Sequence, residues 1–416
     1  MIIVCCFIML IIWLVMFFIV KKRSSCLTYI FWGVYFPLFL YELGWSDWIN
    51  KSYSFIFNYL FISLTIVCVF YFLLTIKKKN INKISGEIYI TKFGKTIFYF
   101  LNISYSLLYL VENYMGSGSF FPGVIGIDIH TYAAPIISYI TNSQFLMLSY
   151  NYFYFKSCKR KSCILFIVLV IILPIFTRLA RMSVVISLVQ FFSLIIFVDA
   201  SAVGKIIFKN KKRRNIVIAL LAIISFVGLS VFTQYRMNLH SADFTYSSGI
   251  GYSGPKCLEW IAPYYGYFPM SFNNLKNNIL CRNISHNYIG LYSFNSLYFG
   301  VLQLDNILGL NPYEYLNNRI VLTGLATVPT GFFEFYYDYG IFLFIPMVVA
   351  MIITYIFEKK SSNEVFRLTY RTLYFWYIPY WFFMSFQNTL FLSTAIVSGA
   401  ITFFIIKNSF IIKNSM

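Results

Sequence analysis

Charged residues are scarce in this chain of 416 residues: Asp, Glu, Lys and Arg together make up 11% of it, whereas a soluble domain carries about 25%. Acidic residues are the scarcest, with 14 Asp and Glu against 33 Lys and Arg, so the formal net charge is +19. Instead, 59% of the residues are hydrophobic and 21% are aromatic. A soluble fold cannot bury so much apolar surface. This composition argues against a nucleic-acid-binding protein, the first guess for a basic chain, and predicts an integral membrane protein.

Signals of metal or nucleotide chemistry are also missing. None of the eight cysteines shows a metal-ligand spacing such as C-x-x-C, and the short basic connections contain no glycine-rich phosphate loop. We therefore expect no metal and no cofactor, and an ATP-driven reaction on the inner side is disfavoured. Cys257 and Cys281 share one polar segment, so a disulfide between them is possible if that segment faces an oxidising compartment.

Apolar runs that approach the roughly 20 residues of a membrane-crossing helix recur along the chain. They predict an all-α polytopic membrane protein with about eleven transmembrane helices, at 2–20, 27–41, 55–76, 96–111, 131–155, 163–177, 182–198, 215–233, 335–357, 373–386 and 389–406. Lys and Arg favour the cytoplasmic side, and 25 of the 33 lie in alternate connections and the C-terminal tail. This bias predicts a periplasmic N-terminus and a cytoplasmic C-terminus.

One long polar segment, residues 234–334, separates an N-terminal membrane bundle (1–233, about eight helices) from a C-terminal one (335–416, about three helices). Loops of this length are usually functional, and the charge bias places this one in the periplasm. Within it, Ile284–Leu304 is moderately apolar but broken by polar residues. The pattern predicts a helix that lies on the membrane or dips into it.

Arginine on the outer side is the main exception to the charge bias. Arg178 and Arg181 interrupt the apolar stretch 162–198, which as one helix would be about 55 Å long and must therefore fold back there. Because Arg178 and Arg181 are three residues apart, they can share one helix face. Arg236 comes just after the eighth predicted helix, where it would approach the same outer side. Planar guanidinium groups suit a diphosphate. The alternative is that these side chains extend to lipid headgroups as interface anchors.

A general base for the outer site has several candidates. Glu334 and Asp338 lie four residues apart, so on a helix they face the same way, and partial burial would suit a carboxyl group to general-base work. Thr330 is a plausible N-cap of that helix. Alternatively, Glu334 only complements the helix dipole. His286 is a further candidate base, although a single loop histidine is more often structural.

Aromatic residues are frequent in the outer segment and offer a surface for sugars. Trp260, Tyr264 and Tyr265 would stack against sugar rings in a glycan groove. Tyr and Trp are also ordinary residues of the membrane interface, so this alternative stays open.

These features resemble the O-antigen polymerases, the Wzy-like enzymes that polymerise oligosaccharide repeat units. The likeness covers the layout of nearly the whole chain, and its motifs are short. They are Lys21-Lys22-Arg23, Thr177-Arg178-Leu-Ala-Arg181, the stretch Tyr264–Leu275 with Phe272-Asn-Asn-Leu, and Val328-Pro-Thr-Gly-Phe-Phe-Glu334 followed by Asp338-Tyr-Gly340. Related O-antigen ligases carry a His-Asn pair before a comparable helix, where this chain has Pro329-Thr330 and Glu334.

The resemblance implies a GT-C-like glycosyltransferase in the bacterial inner membrane that works at its periplasmic face. Such enzymes transfer a growing glycan from one undecaprenyl diphosphate carrier to a new lipid-linked repeat unit. They act without a metal, beside a flippase and a chain-length regulator, and bind no nucleic acid. On this basis Arg178, Arg181 and Arg236 would bind the diphosphate, and Glu334, Asp338 or His286 would be catalytic.

Two other classes compete with this interpretation. A lipid-linked oligosaccharide flippase or another polysaccharide transporter would show paired halves and polar helices near the membrane midplane, and the sequence shows no internal repeat. A membrane O-acyltransferase generally needs a buried histidine, and none of the three histidines lies in a predicted span.

Overall fold

The described residues of the chain are mostly helical, as the apolar runs predict. In the computed structural model they are residues 1–19, 25–76, 86–122, 137, 144–158, 162–178, 191, 216, 227–228, 230–231, 234, 245–281, 286–293, 298, 303–311, 332–346, 348–349, 351–352, 401 and 404–414. They belong to two compact units. Unit 1 comprises Met1–Asn80, Asp243–Ile356 and Tyr377–Ser393, and unit 2 comprises Ile81–Ala242, Phe357–Trp376 and Thr394–Met416.

Unit 1 begins with two helical segments that match the first two predicted spans. Helix α1 covers Ile2–Leu14 and continues as a π-helical turn to Ile19. Helices α2 (Ser25–Ile30) and α3 (Phe36–Glu42) are joined by a π-helical turn at Phe31–Tyr35. Pro37 lies just after that turn and has no N–H to donate to the carbonyl one turn before it, and a π-turn accommodates such a gap.

Helix α4 (Phe55–Ile76) has the bounds of the third predicted span. Ser54 caps the N-terminus of this helix: its Oγ accepts a hydrogen bond from the backbone N–H of Phe57 at 3.3 Å. Thr65 in its middle lies 2.7 Å from the hydroxyl of Tyr35, Oγ to Oη. This hydrogen bond joins α4 to the preceding helical segment at a buried position, where an unpaired hydroxyl would be costly.

Among the described residues, two helical segments, Ile2–Ile19 and Phe55–Ile76, are long and apolar enough to cross a membrane, and only 33% of the most apolar window of each is buried. The exposed residues are apolar too: Ile66, Phe70 and Leu73 on α4 are each at least half exposed. An α-helix that is apolar on its exposed side as well suits a lipid environment better than water.

Short helices make up much of the described part of unit 1 between residues 245 and 342. These are α8 (Tyr246–Gly249), a 3₁₀ turn (Lys256–Ile261), α9 (Ala262–Tyr267), α10 (Pro269–Cys281), α11 (Leu304–Leu308), α12 (Phe332–Tyr339) and a 3₁₀ turn (Gly340–Phe342). Trp45–Asn50 bonds to this part: the Ser46 hydroxyl donates to the carbonyl of Ile250 at 2.7 Å. Both segments are predicted to be periplasmic.

Two predictions for unit 1 differ from its structure. The described part of Ile284–Leu304 between 286 and 293 is a loop and not a helix, because its backbone N–H groups bond to side chains. The ninth predicted span was expected as one helix from 335. Instead, α12 ends at Tyr339 and Gly340 adopts φ +54°, a left-handed conformation that interrupts an α-helix.

In the described part of unit 2, three helices overlap predicted spans. Strand β1 (Gly86–Ile90) precedes α5 (Lys92–Ser117), and α6 (Gln144–Cys158) and α7 (Ser162–Arg178) follow. Thr91 caps α5 by accepting the N–H of Gly94 at 3.1 Å. The Asn102 and Asn151 side chains exchange two hydrogen bonds of 2.9 and 2.8 Å between α5 and α6. Because both are buried, this pair satisfies amide groups that would otherwise be costly.

The chain's C-terminal residues complete unit 2. Strand β2 (Phe410–Asn414) pairs antiparallel with β1, with Ile88 opposite Ile412. Phe410 lies edge-on to Tyr150 of α6 at 5.1 Å between ring centroids. Both strands belong to segments that the distribution of Lys and Arg predicts to be cytoplasmic, so the pairing is consistent with that prediction.

Candidate functional site

Asp338 lies at the centre of a polar cluster in unit 1. Its carboxylate is fully buried (0% exposed) near the end of α12. Oδ1 accepts a hydrogen bond from the side-chain amide of Asn287 at 2.6 Å. The backbone N–H of Tyr292 reaches both carboxylate oxygens at 3.2 and 3.1 Å, and the N–H of Ser293 donates to Oδ2. Asp338 therefore holds the loop 286–293 against α12.

The loop 286–293 is also organised from within. The side-chain oxygen of Asn287 accepts hydrogen bonds from the backbone N–H groups of Ile289 and Gly290, each at 3.1 Å. The N–H of Tyr288 donates to the backbone carbonyl of Asp338 at 3.0 Å. Tyr288 and Gly290 adopt φ +57° and +76°. The side-chain NH₂ group of Asn287 therefore bonds to α12, and its side-chain oxygen bonds to its own loop.

His286 is oriented by the same helix. Its Nδ1 lies 3.0 Å from the backbone carbonyl of Tyr337, and because a carbonyl only accepts, Nδ1 must carry the proton. In the neutral ring Nε2 is then the basic nitrogen. Among the residues that the structure describes, none donates a hydrogen bond to Nε2. The contact with Tyr337 therefore leaves Nε2 as the ring nitrogen that can accept a hydrogen bond.

Gly340 makes room for this imidazole. A Cβ atom on Gly340 would lie 2.6 Å from Nε2 of His286, closer than real Cβ contacts. The left-handed φ of Gly340 disfavours other residues independently. The glycine that ends α12 therefore also sets how closely the histidine approaches the helix.

Glu334 lies one turn before Asp338, as the predicted helix requires, and is 4% exposed. Every residue from 332 to 338 is buried, so burial does not single out a face of α12. The prediction that Glu334 is the base stays a prediction. The expected N-cap, Thr330, lies outside the described residues.

Helix α10 carries a second polar cluster that the sequence reasoning missed. Asn273 accepts the backbone N–H of Asn50 at 2.8 Å and donates to the carbonyl of Trp48 at 3.0 Å. The Asn50 side-chain amide donates to Asn277 at 2.7 Å, and Nζ of Lys276 donates to the Asn50 carbonyl at 2.8 Å. The repeated Asn pairs of α10 were the available signal, because polar residues at helical spacing predict one polar face.

Lys276 is only partly solvated in this cluster. Burial lowers the pKa of Lys276 from 10.5, and the nearby carboxylate of Glu42 partly offsets the shift. The ammonium lies 6.0 Å from the ring centroid of Tyr41 and 5.8 Å from that of Phe57, within cation–π range. These contacts fix α10 against α3 and α4.

The three aromatic residues predicted to form a glycan groove have different environments. Trp260 is 46% exposed, Tyr264 is partly buried, and Tyr265 is fully buried. The Tyr265 hydroxyl accepts the N–H of Trp45 at 2.8 Å, and its ring stacks on the Trp45 indole at 6.1 Å. Because Tyr265 exposes no ring face, its contacts are those of a packing residue, and Trp260 is the exposed member of the three.

Of the three arginines predicted to bind a diphosphate, Arg178 is the last residue of α7 in unit 2, and its side chain lies outside the described part of the structure. Arg181 and Arg236 lie outside the described residues. Cys257 and Cys281 are both exposed and carry free thiols. Over the described part of the chain, no group of three or more His, Cys, Asp or Glu side chains is arranged to hold a metal ion.

Comparisons with known proteins do not assign a family. The chain matches no protein-family model, and the curated proteins and the solved structures offer no match either. The functional assignment therefore depends on the residues and their geometry.

Proposed function

We propose that this protein is a glycosyltransferase that polymerises undecaprenyl-diphosphate-linked oligosaccharide repeat units on the periplasmic face of the bacterial inner membrane, as the O-antigen polymerases do. The observation that carries the proposal is the orientation of His286. Its Nδ1 donates to Tyr337, and its Nε2 is the basic nitrogen beside a buried polar cluster. The charge bias predicts that this cluster lies on the periplasmic side of the membrane, where such a polymer forms.

In the proposed reaction, Nε2 of His286 takes the proton from a hydroxyl of the acceptor sugar. The hydroxyl oxygen forms the new glycosidic bond to C1 of the donor glycan, and the bond between C1 and the diphosphate oxygen breaks. The undecaprenyl diphosphate leaves with the electron pair. Arg178, Arg181 and Arg236 would stabilise its charge. This chemistry uses no cofactor, because the diphosphate is already a good leaving group.

We prefer His286 to Glu334 as the base, with Asp338 as a positioning residue. The related ligases carry a His-Asn pair before a comparable helix. In this chain His286 and Asn287 come from an earlier loop, yet they contact Tyr337 and Asp338 of α12. No His-Asn pair directly precedes α12 in the sequence. In the folded chain, however, His286 and Asn287 lie beside this helix.

The proposed architecture is GT-C-like, with about eleven transmembrane helices, a periplasmic N-terminus and a cytoplasmic C-terminus. Two contacts support the topology. Trp45–Asn50 bonds to 250–277, and both segments are predicted to be periplasmic. Strand β1 pairs with β2, and both are predicted to be cytoplasmic. The proposed partners are donor and acceptor glycolipids, membrane lipids, a flippase and a chain-length regulator, and not nucleic acid.

Deletion of the gene in the source bacterium tests the class of protein. We expect the surface-polysaccharide ladder to collapse to core plus one repeat unit, with the single unit exposed on the periplasmic side. A flippase defect would instead trap that unit inside, and an unchanged ladder would refute both activities.

Complementation of the deletion tests the base. His286→Ala should insert normally and lower polymer formation by about 100-fold or more, which is the usual contribution of a general base. Lys256→Gln, a change at an exposed residue of the same periplasmic segment, is the matched control and should restore the full ladder. A normal ladder with His286→Ala would exclude His286 as the base.

A further inference from the structure

Tyr288 has a backbone conformation that its side chain disfavours. Its φ is +57°, and the other non-glycine residue of the described chain with positive φ is Gln303. The left-handed region suits glycine, or Asn and Asp with their short polar side chains. A tyrosine gains no such local compensation, so the surrounding structure must impose the conformation.

The cluster around Asp338 imposes it. The backbone N–H of Tyr288 is held by the carbonyl of Asp338 at 3.0 Å. On both sides the chain is fixed as well, because Asn287 bonds to the Asp338 carboxylate and accepts the N–H groups of Ile289 and Gly290. Strained residues that are retained in this way are found mainly at functional sites, where a side chain must point in one direction.

The result of this conformation is an exposed aromatic ring beside the proposed base. Tyr288 is 56% exposed. Its ring centroid lies 5.9 Å from that of His286 and 6.3 Å from that of Phe342, edge-on to both. Edge-on contacts at these distances stabilise a ring orientation. They also leave ring surface for a ligand next to the imidazole.

We propose that Tyr288 is the acceptor-sugar platform of this site, on which one face of a pyranose ring stacks while its nucleophilic hydroxyl lies at Nε2 of His286. A pyranose offers C–H groups on its face and hydroxyls at its edge, which match an aromatic surface bordered by a basic nitrogen. This inference rests on the proposed function and adds to it a residue that binds the acceptor.

Three variants of Tyr288 separate ligand binding from folding. Tyr288→Gly keeps the left-handed conformation without strain and removes the ring. Tyr288→Phe and Tyr288→Trp keep an aromatic face. The purified full-length protein would be assayed with lipid-linked single repeat units extracted from the deletion strain, at varied concentrations of these units. Thermal stability would be measured in parallel.

We expect Tyr288→Gly to be at least as thermally stable as the wild type and to raise KM about three- to tenfold, in line with the usual strength of an aromatic contact. Its kcat should stay close to that of the wild type, and Phe and Trp should retain a low KM. Tyr53→Ala, at another exposed tyrosine of unit 1 (71% exposed), is the matched control and should leave KM unchanged.

The outcomes distinguish this inference from the proposed function. If the wild-type protein forms no polymer from the repeat units, the proposed function itself fails. If the wild type polymerises and Tyr288→Gly has an unchanged KM, only the platform is refuted. A Trp variant with the high KM of the Gly variant would refute it too, since the ring face would then not be what binds.

Discussion

Replacing Asp338 by Asn tests whether the buried carboxylate holds the loop 286–293 in place. The carboxylate receives hydrogen bonds from Asn287, Tyr292 and Ser293. An Asn side chain keeps one acceptor oxygen, but its NH₂ group would face donors. With one or two donors left without an acceptor, each at about 1–3 kcal/mol, we expect a loss of about 1–6 kcal/mol. The apparent melting temperature should fall by several degrees.

The assay is thermal unfolding of the purified protein in detergent, together with hydrogen exchange at the amides of Tyr292 and Ser293. Both amides should exchange faster in Asp338→Asn. Glu259→Gln is the matched control, since Glu259 is an exposed acid of the same predicted periplasmic segment and accepts a hydrogen bond from the Ser247 hydroxyl. Its effect should stay below about 0.5 kcal/mol. An Asp338→Asn protein with wild-type melting and exchange would refute the role of Asp338 as the anchor of this loop.

Two further predictions concern the surroundings of the site. Gly340→Ala places a Cβ atom 2.6 Å from Nε2 of His286 and strains a backbone at φ +54°. We therefore expect lower thermal stability and loss of polymer formation. A variant with the melting temperature and the polymer yield of the wild type would contradict this packing of Gly340 against His286. Because the pKa of Lys276 is lowered from 10.5 in the folded protein, the unfolded chain binds more protons between the two pKa values, and stability rises with pH there. The melting temperature of the wild type relative to Lys276→Gln should therefore increase as the pH rises toward 10.5, and a constant or falling difference would refute the assignment.

The contacts of Asp338 indicate a role that differs from the one predicted from the sequence for the acidic pair Glu334 and Asp338. Glu334 and Asp338 were predicted as two carboxyl groups on one helix face, either of them a base. In the structure Asp338 binds the loop that carries His286. Donors from Asn287, Tyr292 and Ser293 occupy both carboxylate oxygens of Asp338, so in the structure this side chain anchors the loop.

Local sequence determined the long apolar helices of the described residues. Residues 55–76 and 163–177 were predicted from uninterrupted apolar composition, and they form α4 and most of α7. A helix satisfies its own backbone hydrogen bonds, so a long apolar run is sufficient to specify one. The apolar, charge-poor composition likewise predicted an integral membrane protein, and the apolar exposed faces of α1 and α4 are consistent with this prediction.

Tertiary structure decided which polar groups meet. Asn287 and Asp338 are 51 positions apart, and no periodicity in either segment indicates that one binds the other. The left-handed Tyr288 and the end of α12 at Gly340 also run against what the surrounding sequence favours. Buried polar groups gain stability only through specific partners. Which distant segment supplies those partners depends on the packing of the whole unit. The long apolar helices could therefore be predicted from the sequence, whereas the loop that carries His286 could not.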